Sequence, residues 1–210
     1  MKQLIKYLFL SGMLNLFLGS CNEELELNQY IEHINQDKDY IKNYEDEVYR
    51  MECKYRPSEL IVIDEFKNSM ESNNKLSKAV FNKELKKYEN ALYFDVRIGL
   101  KSNQNIVNKN ISTQAEYAAL LSELTYNMMR DIYIVGDGRD TIYATGYNYN
   151  NSYGSSPDVR FLFAFPKKRA EQHKILDIIY DDKIFGIGAK IKMTYSLSEI
   201  NKKLPALKFN

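Results

Sequence analysis

Residues 91–100 read Ala-Leu-Tyr-Phe-Asp-Val-Arg-Ile-Gly-Leu, and this stretch decides the fold. Apolar residues take every second position from Leu92 to Leu100, and Asp95, Arg97 and other residues fill the positions between them. Because side chains alternate between the two faces of a strand, the pattern predicts a β-strand with one buried face. We therefore expect a sheet to be built around this strand.

The chain after residue 100 is predicted to be mostly strand, with one further helix. Thr113 and Glu116 stand at capping-box spacing and begin a helix that ends near Arg130. Asp137-Gly138 supplies the positive φ angles of a type I′ hairpin. Strands joined by such short turns pair antiparallel. The predicted strands cover residues 131–135, 140–147, 161–165, 175–180 and 184–195.

The chain before residue 91 is predicted to be helical. Apolar or aromatic residues recur every three or four positions from Leu27 to Tyr55, with one gap at Lys38. This spacing predicts an amphipathic helix of about 25 residues. Two further helices are predicted over residues 59–70 and 76–88. The expected fold class is α+β, with N-terminal helices followed by a mainly antiparallel sheet packed with one further helix.

Composition and charge limit the classes of function. Lys and Arg total 29 and Asp and Glu total 28, so the formal net charge is +1. A nucleic-acid-binding protein usually carries a basic excess, and we therefore expect no nucleic-acid partner. The length of 210 residues allows one domain or at most two small ones. We expect residues 29–90, the helical region, and residues 91–210, the α+β region, to form one domain together.

The first 21 residues, MKQLIKYLFLSGMLNLFLGSC, have the layout of a secretory signal peptide. Lys2 and Lys6 precede an apolar run of 12 residues from Tyr7 to Leu18. This run is too short to cross a membrane, because a spanning helix needs about 20 apolar residues. The protein is therefore expected to be exported.

Residues 18–21, Leu-Gly-Ser-Cys, resemble the lipobox of bacterial lipoproteins. The resemblance implies that residues 1–20 are removed and that Cys21 is acylated, for example with palmitate, and binds the membrane. Residues 21–28 then form a lipidated tether. The acids at 23 and 24 resemble the surface-export signal of Bacteroidota lipoproteins, and a plain solvated tether is the alternative. We expect a location in the bacterial cell envelope, in the outer membrane, facing either the periplasm or the cell surface.

Residues suited to catalysis or metal binding are scarce. His33 and His173 lie far apart, and neither has a partner at ligand spacing. Asp137 and Asp140 are explained by hydrogen bonds to turn backbone more readily than by a bound cation. Cys53 has no neighbouring histidine to activate it. We therefore expect no catalytic residue, no metal, no cofactor and no enzymatic activity.

A segment rich in Tyr, Asn, Ser and Gly is the first candidate binding surface, and it contains Tyr147, Tyr149 and Tyr153. Tyrosine has a rigid apolar ring with a polar end, and this mixture suits a loop that binds a sugar or a protein. The alternative is that alternate tyrosines pack a twisted hairpin.

The first predicted helix is the second candidate surface. Ile31, Ile34, Ile41 and Val48 are expected on one face of it, and that face is long enough to pack on a partner helix of another protein. Packing of this face on the second and third helices of the same chain is the default expectation.

These observations lead to one expected function and two alternatives. We expect a lipid-anchored envelope protein that acts as a non-catalytic binding or scaffold component of a membrane-associated assembly. Its partners are the membrane, through acylated Cys21, and an envelope protein or a glycan. The alternatives are a surface lipoprotein that binds a glycan or small ligand, and an immunity lipoprotein against a toxin.

Overall fold

The structure, a computed structural model, describes residues 24–68, 76–152, 155–186, 188 and 190–209 of the chain. Eleven strands are formed by these residues: β1 Glu24–Leu25, β2 Ile41–Glu45, β3 Tyr49–Arg56, β4 Ala91–Leu100, β5 Ile132–Gly136, β6 Asp140–Tyr143, β7 Gly146–Asn150, β8 Val159–Pro166, β9 Ile175–Asp181, β10 Lys190–Ser196 and β11 Ala206–Leu207. The same residues form six α-helices: α1 Leu27–Gln36, α2 Ser58–Asn68, α3 Lys78–Leu85, α4 Gln114–Tyr126, α5 Lys167–Ala170 and α6 Leu197–Lys203. The α+β class with mainly antiparallel sheets is confirmed.

Strand β4 lies at the centre of a five-stranded antiparallel sheet with the order β2-β3-β4-β8-β7. It occupies the predicted residues Ala91–Leu100. Phe94 stands opposite Tyr55 on one side and Phe163 on the other, so the apolar positions of three strands share one face. The alternation of β4 is therefore continued by its neighbours across the sheet.

The second sheet has four antiparallel strands in the order β10-β9-β5-β6. Its hairpin turns at Asp137-Gly138, where φ is 45° and 72°. Both angles are positive, as a type I′ turn requires, and the predicted hairpin is confirmed. A third, parallel pair joins β1 to β11, with Glu24 beside Ala206.

The segment predicted as one strand over residues 140–147 is divided between the two sheets. Strand β6 pairs with β5, and β7 pairs with β8. Between them the backbone N–H of Thr145 donates to the carbonyl of Ala164 at 2.8 Å. The chain thus passes from one sheet to the other within this segment, and no local pattern of hydrophobic residues marks that change.

The apolar faces of the two larger sheets belong to one continuous cluster of buried side chains. Phe94 is fully buried, and its ring meets those of Tyr55, Phe165 and Tyr195. The hydroxyl of Tyr195, from the second sheet, donates to the backbone carbonyl of Cys53 at 2.5 Å. Aromatic packing and this buried hydrogen bond therefore join the sheets.

The long N-terminal helix is the main correction to the predicted elements. Helix α1 ends at Gln36, and the backbone N–H of Asp39 donates to the Asp37 carboxylate in the turn that follows. From Tyr49 onward burial alternates with period two, through Met51, Cys53 and Tyr55. Alternate buried residues on such a strand are four positions apart, as Met51 and Tyr55 are, and this spacing also fits a helix. The predicted helix is therefore wrong beyond residue 36.

The other helices agree with the sequence more closely. Helix α4 has the predicted capping box, with Thr113 accepting from the backbone of Glu116 and Glu116 accepting from the backbone of Thr113. Helices α2 and α3 lie within the predicted ranges, apart from the start of α2 at Ser58. Strands β2 and β3 precede α2, so the region 29–90 is not wholly helical. Among the described residues, no helix has the length and apolar character needed to span a membrane.

Candidate functional site

The face of the five-stranded sheet that points away from the core carries charged side chains in register. Lys54 on β3 stands opposite Asp95 on β4, and Asp95 stands opposite Leu162 on β8. One step along, Arg97 stands opposite Arg160. The alternation that buries one face therefore gathers ionic groups on the other.

A cleft of about 580 Å³ opens on this face between helix α2 and strand β7. We call it the polar cleft and define it by six residues from five elements: Arg56, Asp64, Asp95, Asn148, Asn150 and Arg160. Its volume lies in the range of small-ligand sites, about 300–1,000 Å³. The sheet supplies most of its floor, so these side chains are placed by regular strands.

Asp95 is the central charge of the polar cleft. It is only 8% exposed, and both its carboxylate oxygens accept from the single Nε–H of Arg160, with Nε–O distances of 2.8 and 3.0 Å. Nη1 of Arg56 approaches the same carboxylate at 3.5 Å, and Arg56 also pairs with Asp64. The hydrogen bond to Asp95 raises the pKa of Arg160 above its usual value. A buried carboxylate between two guanidinium groups is a satisfied arrangement.

Four charged groups of the polar cleft, those of Arg56, Asp64, Asp95 and Arg160, are therefore paired with one another. The one further carboxylate that lines it, that of Glu65, accepts a hydrogen bond from the hydroxyl of Tyr88. This hydrogen bond, more than burial, raises the pKa of Tyr88 to about 12. A cationic ligand would have to displace an arginine from a carboxylate, and an anionic ligand would have to displace a carboxylate from an arginine.

Uncharged amides are the polar groups that remain available. The side chains of Asn148 and Asn150 are exposed on β7, and that of Asn68 is exposed at the end of α2. Within the described part of the chain these three amides have no hydrogen-bond partner, and neither has the buried Nε of Arg56. Each amide offers two donors and one acceptor.

The predicted tyrosine site is only partly next to the polar cleft. The ring of Tyr147 stacks on Phe163 with centroids 5.3 Å apart, and its hydroxyl donates to the carbonyl of Leu124 at 3.0 Å. Tyr149 stacks on Phe161 at 5.2 Å and borders the polar cleft. These two rings pack on the core. Tyr153 lies outside the described residues, and ligand binding by the three tyrosines stays a prediction.

The four residues of the predicted partner helix do not share a helix. Ile31 and Ile34 lie on α1, where Ile34 is fully buried in the core of this chain. Ile41 lies on the edge strand β2, and Val48 lies exposed in the turn before β3. The prediction that these four residues form one continuous helical face is therefore wrong, because the helix ends at residue 36.

The acids of the β5–β6 hairpin have structural partners. Asp137 accepts hydrogen bonds from the backbone N–H groups of Lys174 and Ile175, and these, with Ile175 the stronger, lower its pKa. His173 lies between Asp137 and Asp140, at 3.3 and 3.2 Å. In the described ranges no group of three or more His, Cys, Asp or Glu residues is arranged to hold a metal ion.

The structure describes only one of the two cysteines, Cys53. Cys21, the predicted lipidation site, lies outside the described residues. Cys53 is a free cysteine, fully buried on β3, and burial raises the pKa of its thiol to about 12. A thiol that is protonated and inaccessible is unreactive, so Cys53 acts as a small apolar core residue.

Sequence reasoning missed the residues of the polar cleft. Arg56, Asp95 and Arg160 each occupy the outward position of a strand, and their alternation with apolar residues is visible in the sequence. Their meeting depends on which strands are neighbours, and strands 65 residues apart in the chain are brought together here.

Comparisons of the chain with protein-family models, with curated proteins and with solved structures found no match.

Proposed function

We propose that this protein is a lipid-anchored binding protein of the bacterial cell envelope, placed in the outer membrane, and that it binds a glycan in the polar cleft without transforming it. The observation that carries the proposal is the difference between the charged side chains and the uncharged amides of the cleft. Arg56, Asp64, Asp95 and Arg160 form ion pairs with one another, while the amides of Asn148 and Asn150 have no partner among the described residues.

The chemistry of the amides favours an uncharged polyhydroxy ligand. A sugar hydroxyl both donates and accepts, and an asparagine amide presents one group of each kind. An ion would have to lose its hydration in a cleft where Asp95 and Arg160 already neutralise each other. A neutral glycan avoids that cost and leaves the ion pairs intact.

The anchor rests on the sequence of the export segment. The lipobox at residues 18–21 follows an apolar run of signal-peptide length. Two or more acyl chains on one cysteine give stable membrane binding, whereas one chain is marginal. An envelope location also gives a glycan-binding protein access to its ligand.

We expect the full-length protein in detergent to bind neutral oligosaccharides on a glycan array, with little dependence on salt. Replacing both Asn148 and Asn150 with alanine removes two sets of amide hydrogen bonds and weakens binding about tenfold. The matched control is Asn43→Ala, an exposed asparagine on β2 of the same sheet face, outside the cleft. Its binding should equal that of the unchanged protein.

Two results would overturn the glycan proposal. One is a preference for acidic glycans with affinity that falls steeply as salt is added, because it would mean recognition by net charge. The other is an equal loss of binding in the Asn43→Ala control.

We expect cells fed with a clickable palmitate analogue to incorporate it into this protein at Cys21. Cys21→Ala should abolish the label, and Cys53→Ala should retain it, because the Cys53 thiol is buried and has its pKa raised to about 12. Label that persists in Cys21→Ala contradicts the anchor.

A further inference from the structure

A second cleft, with different chemistry, lies between helix α4, residues 106–111 and residues 183–185. It has a volume of about 370 Å³, and we call it the apolar cleft. Six residues define it: Ile106, Val107, Ile111, Ala119, Leu120 and Phe185. Ile106, Val107 and Phe185 are buried members of the core. The floor of the cleft is therefore continuous with the hydrophobic core, while Ala119 and Leu120 form its helical wall.

Cationic side chains border this apolar surface. Lys109, Arg130 and Lys183 line the cleft, and Glu123 is the one carboxylate among the lining residues. Glu123 is already paired with Arg130 at 2.7 Å. Lys109 and Lys183 have no carboxylate within 4.0 Å in the described portion of the chain.

Both lysines contact uncharged groups of the protein. The ammonium of Lys109 lies 4.4 Å from the ring centroid of Tyr49 and donates to the Tyr49 hydroxyl. The ammonium of Lys183 lies 3.5 Å from the carbonyl oxygen of Arg130. Neither contact supplies a negative charge, so an anion at the edge of the cleft would gain an ion pair with each ammonium.

The loop that closes the cleft is held in place before any ligand arrives. The Asp182 carboxylate accepts from the backbone N–H groups of Ile184 and Phe185, at 3.2 and 2.8 Å. Oδ2 of Asp131 accepts from the backbone N–H of Lys183 at 3.2 Å. Because Phe185 and Lys183 are positioned in this way, a ligand loses little free energy in ordering the site.

We propose that the apolar cleft binds a single-chain amphipathic anion, a fatty carboxylate, with its hydrocarbon chain against the apolar wall and its carboxylate paired with Lys109 and Lys183. Hydrophobic burial supplies the attraction for the chain, and the two lysines select for the charge. The ligand class differs from that of the polar cleft, and this site does not depend on glycan binding.

The test uses photoactivatable dodecanoate, which carries a diazirine on its chain, and the full-length protein in its membrane. We expect crosslinks within residues 106–111 and 119–123, identified by mass spectrometry. The neutral probe is diazirine dodecanol, which has the same chain without the charge and should label about tenfold less.

Two variants separate the contributions of charge and shape. Lys109→Gln combined with Lys183→Gln should lower dodecanoate labelling about tenfold, because both cations are lost. The matched control is Lys101→Gln, an exposed lysine that pairs with Glu45 away from the cleft, and it should keep full labelling. Ala119→Trp adds bulk at an exposed helical position and should abolish labelling with either probe.

Equal labelling by dodecanoate and dodecanol would overturn the proposal. It would mean that the cleft accepts any acyl chain, including one of those proposed on Cys21. Crosslinks spread over the surface would overturn it as well, because they would report only partition into the membrane. Full labelling of Ala119→Trp, with an unchanged thermal unfolding midpoint, would show that the probe binds elsewhere.

Discussion

Replacement of Phe94 with alanine is expected to lower the free energy of unfolding by about 4 kcal/mol, the largest effect we predict for a single side chain. Phe94 is fully buried on the central strand, and its ring contacts those of Tyr55, Phe165 and Tyr195. Truncation removes buried apolar surface and leaves a cavity between the two sheets, which rigid strands cannot close.

Urea denaturation followed by far-UV circular dichroism measures this change. The loss is a large fraction of the total stability of a domain, roughly 5–15 kcal/mol, so the folded population of Phe94→Ala falls visibly on mild heating. The matched control is Tyr126→Ala, because Tyr126 is aromatic and 72% exposed. Its expected effect is within about 0.5 kcal/mol. Equal effects of the two substitutions would contradict the position of Phe94 between the sheets.

Replacement of Asp95 with alanine is expected to cost about 3 kcal/mol, because it leaves the guanidinium of Arg56 partly buried with one partner fewer. The Arg56 side chain is 11% exposed and cannot regain full hydration. Arg160 is 42% exposed and is hydrated more easily, so its share of the loss is smaller. Asp95→Asn keeps an acceptor in place and should cost less than Asp95→Ala.

The control for Asp95 is an ion pair that lies in solvent. Glu45 and Lys101 pair at 2.9 Å with both side chains exposed, and Glu45→Ala should change stability by less than about 1 kcal/mol. A double-mutant cycle between Asp95→Ala and Arg160→Ala should give a coupling energy above about 0.5 kcal/mol. A cycle that closes to zero would mean that the two residues do not interact in solution.

The sequence predicts an element well where local alternation and tertiary burial agree. Strand β4 was found at its predicted bounds because Leu92, Phe94, Val96, Ile98 and Leu100 all face one core. The hairpin at Asp137-Gly138 and the capping box of α4 were also predicted, since each depends on a few adjacent residues and on their backbone angles.

Prediction of secondary structure failed where the same residues fit both the helical period of about 3.6 residues and the strand period of two residues. Tyr44, Val48, Met51 and Tyr55 fit a helical face, but Tyr49 and Cys53 lie outside that face and are buried by the strand. Only pairing with β4, some 40 residues later in the chain, decides between the two periods.

The candidate site could not be predicted from the sequence, because its members come from distant parts of the chain. Arg56 and Asp95 are 39 residues apart, and Asp95 and Arg160 are 65 apart. Their outward orientation follows from alternation, but their contact follows from the strand order β3-β4-β8. Tyr147 was predicted to bind a ligand because of its residue type, but its ring packs on that of Phe163.

The parallel pairing of β1 with β11 has a mechanical consequence for an anchored protein. Under the proposed acylation of Cys21, at most about 11 Å of extended chain would separate the anchored residue from Glu24, so tension on the anchor would reach β1 almost directly. The β1–β11 pair has two residues in register, reinforced by a contact of 2.9 Å between Lys208 and Glu26, whereas β3 and β4 share eight. Under such a load we expect the short pair to open first, so that the segment next to the proposed anchor would lengthen while the five-stranded sheet and its polar cleft keep their shape.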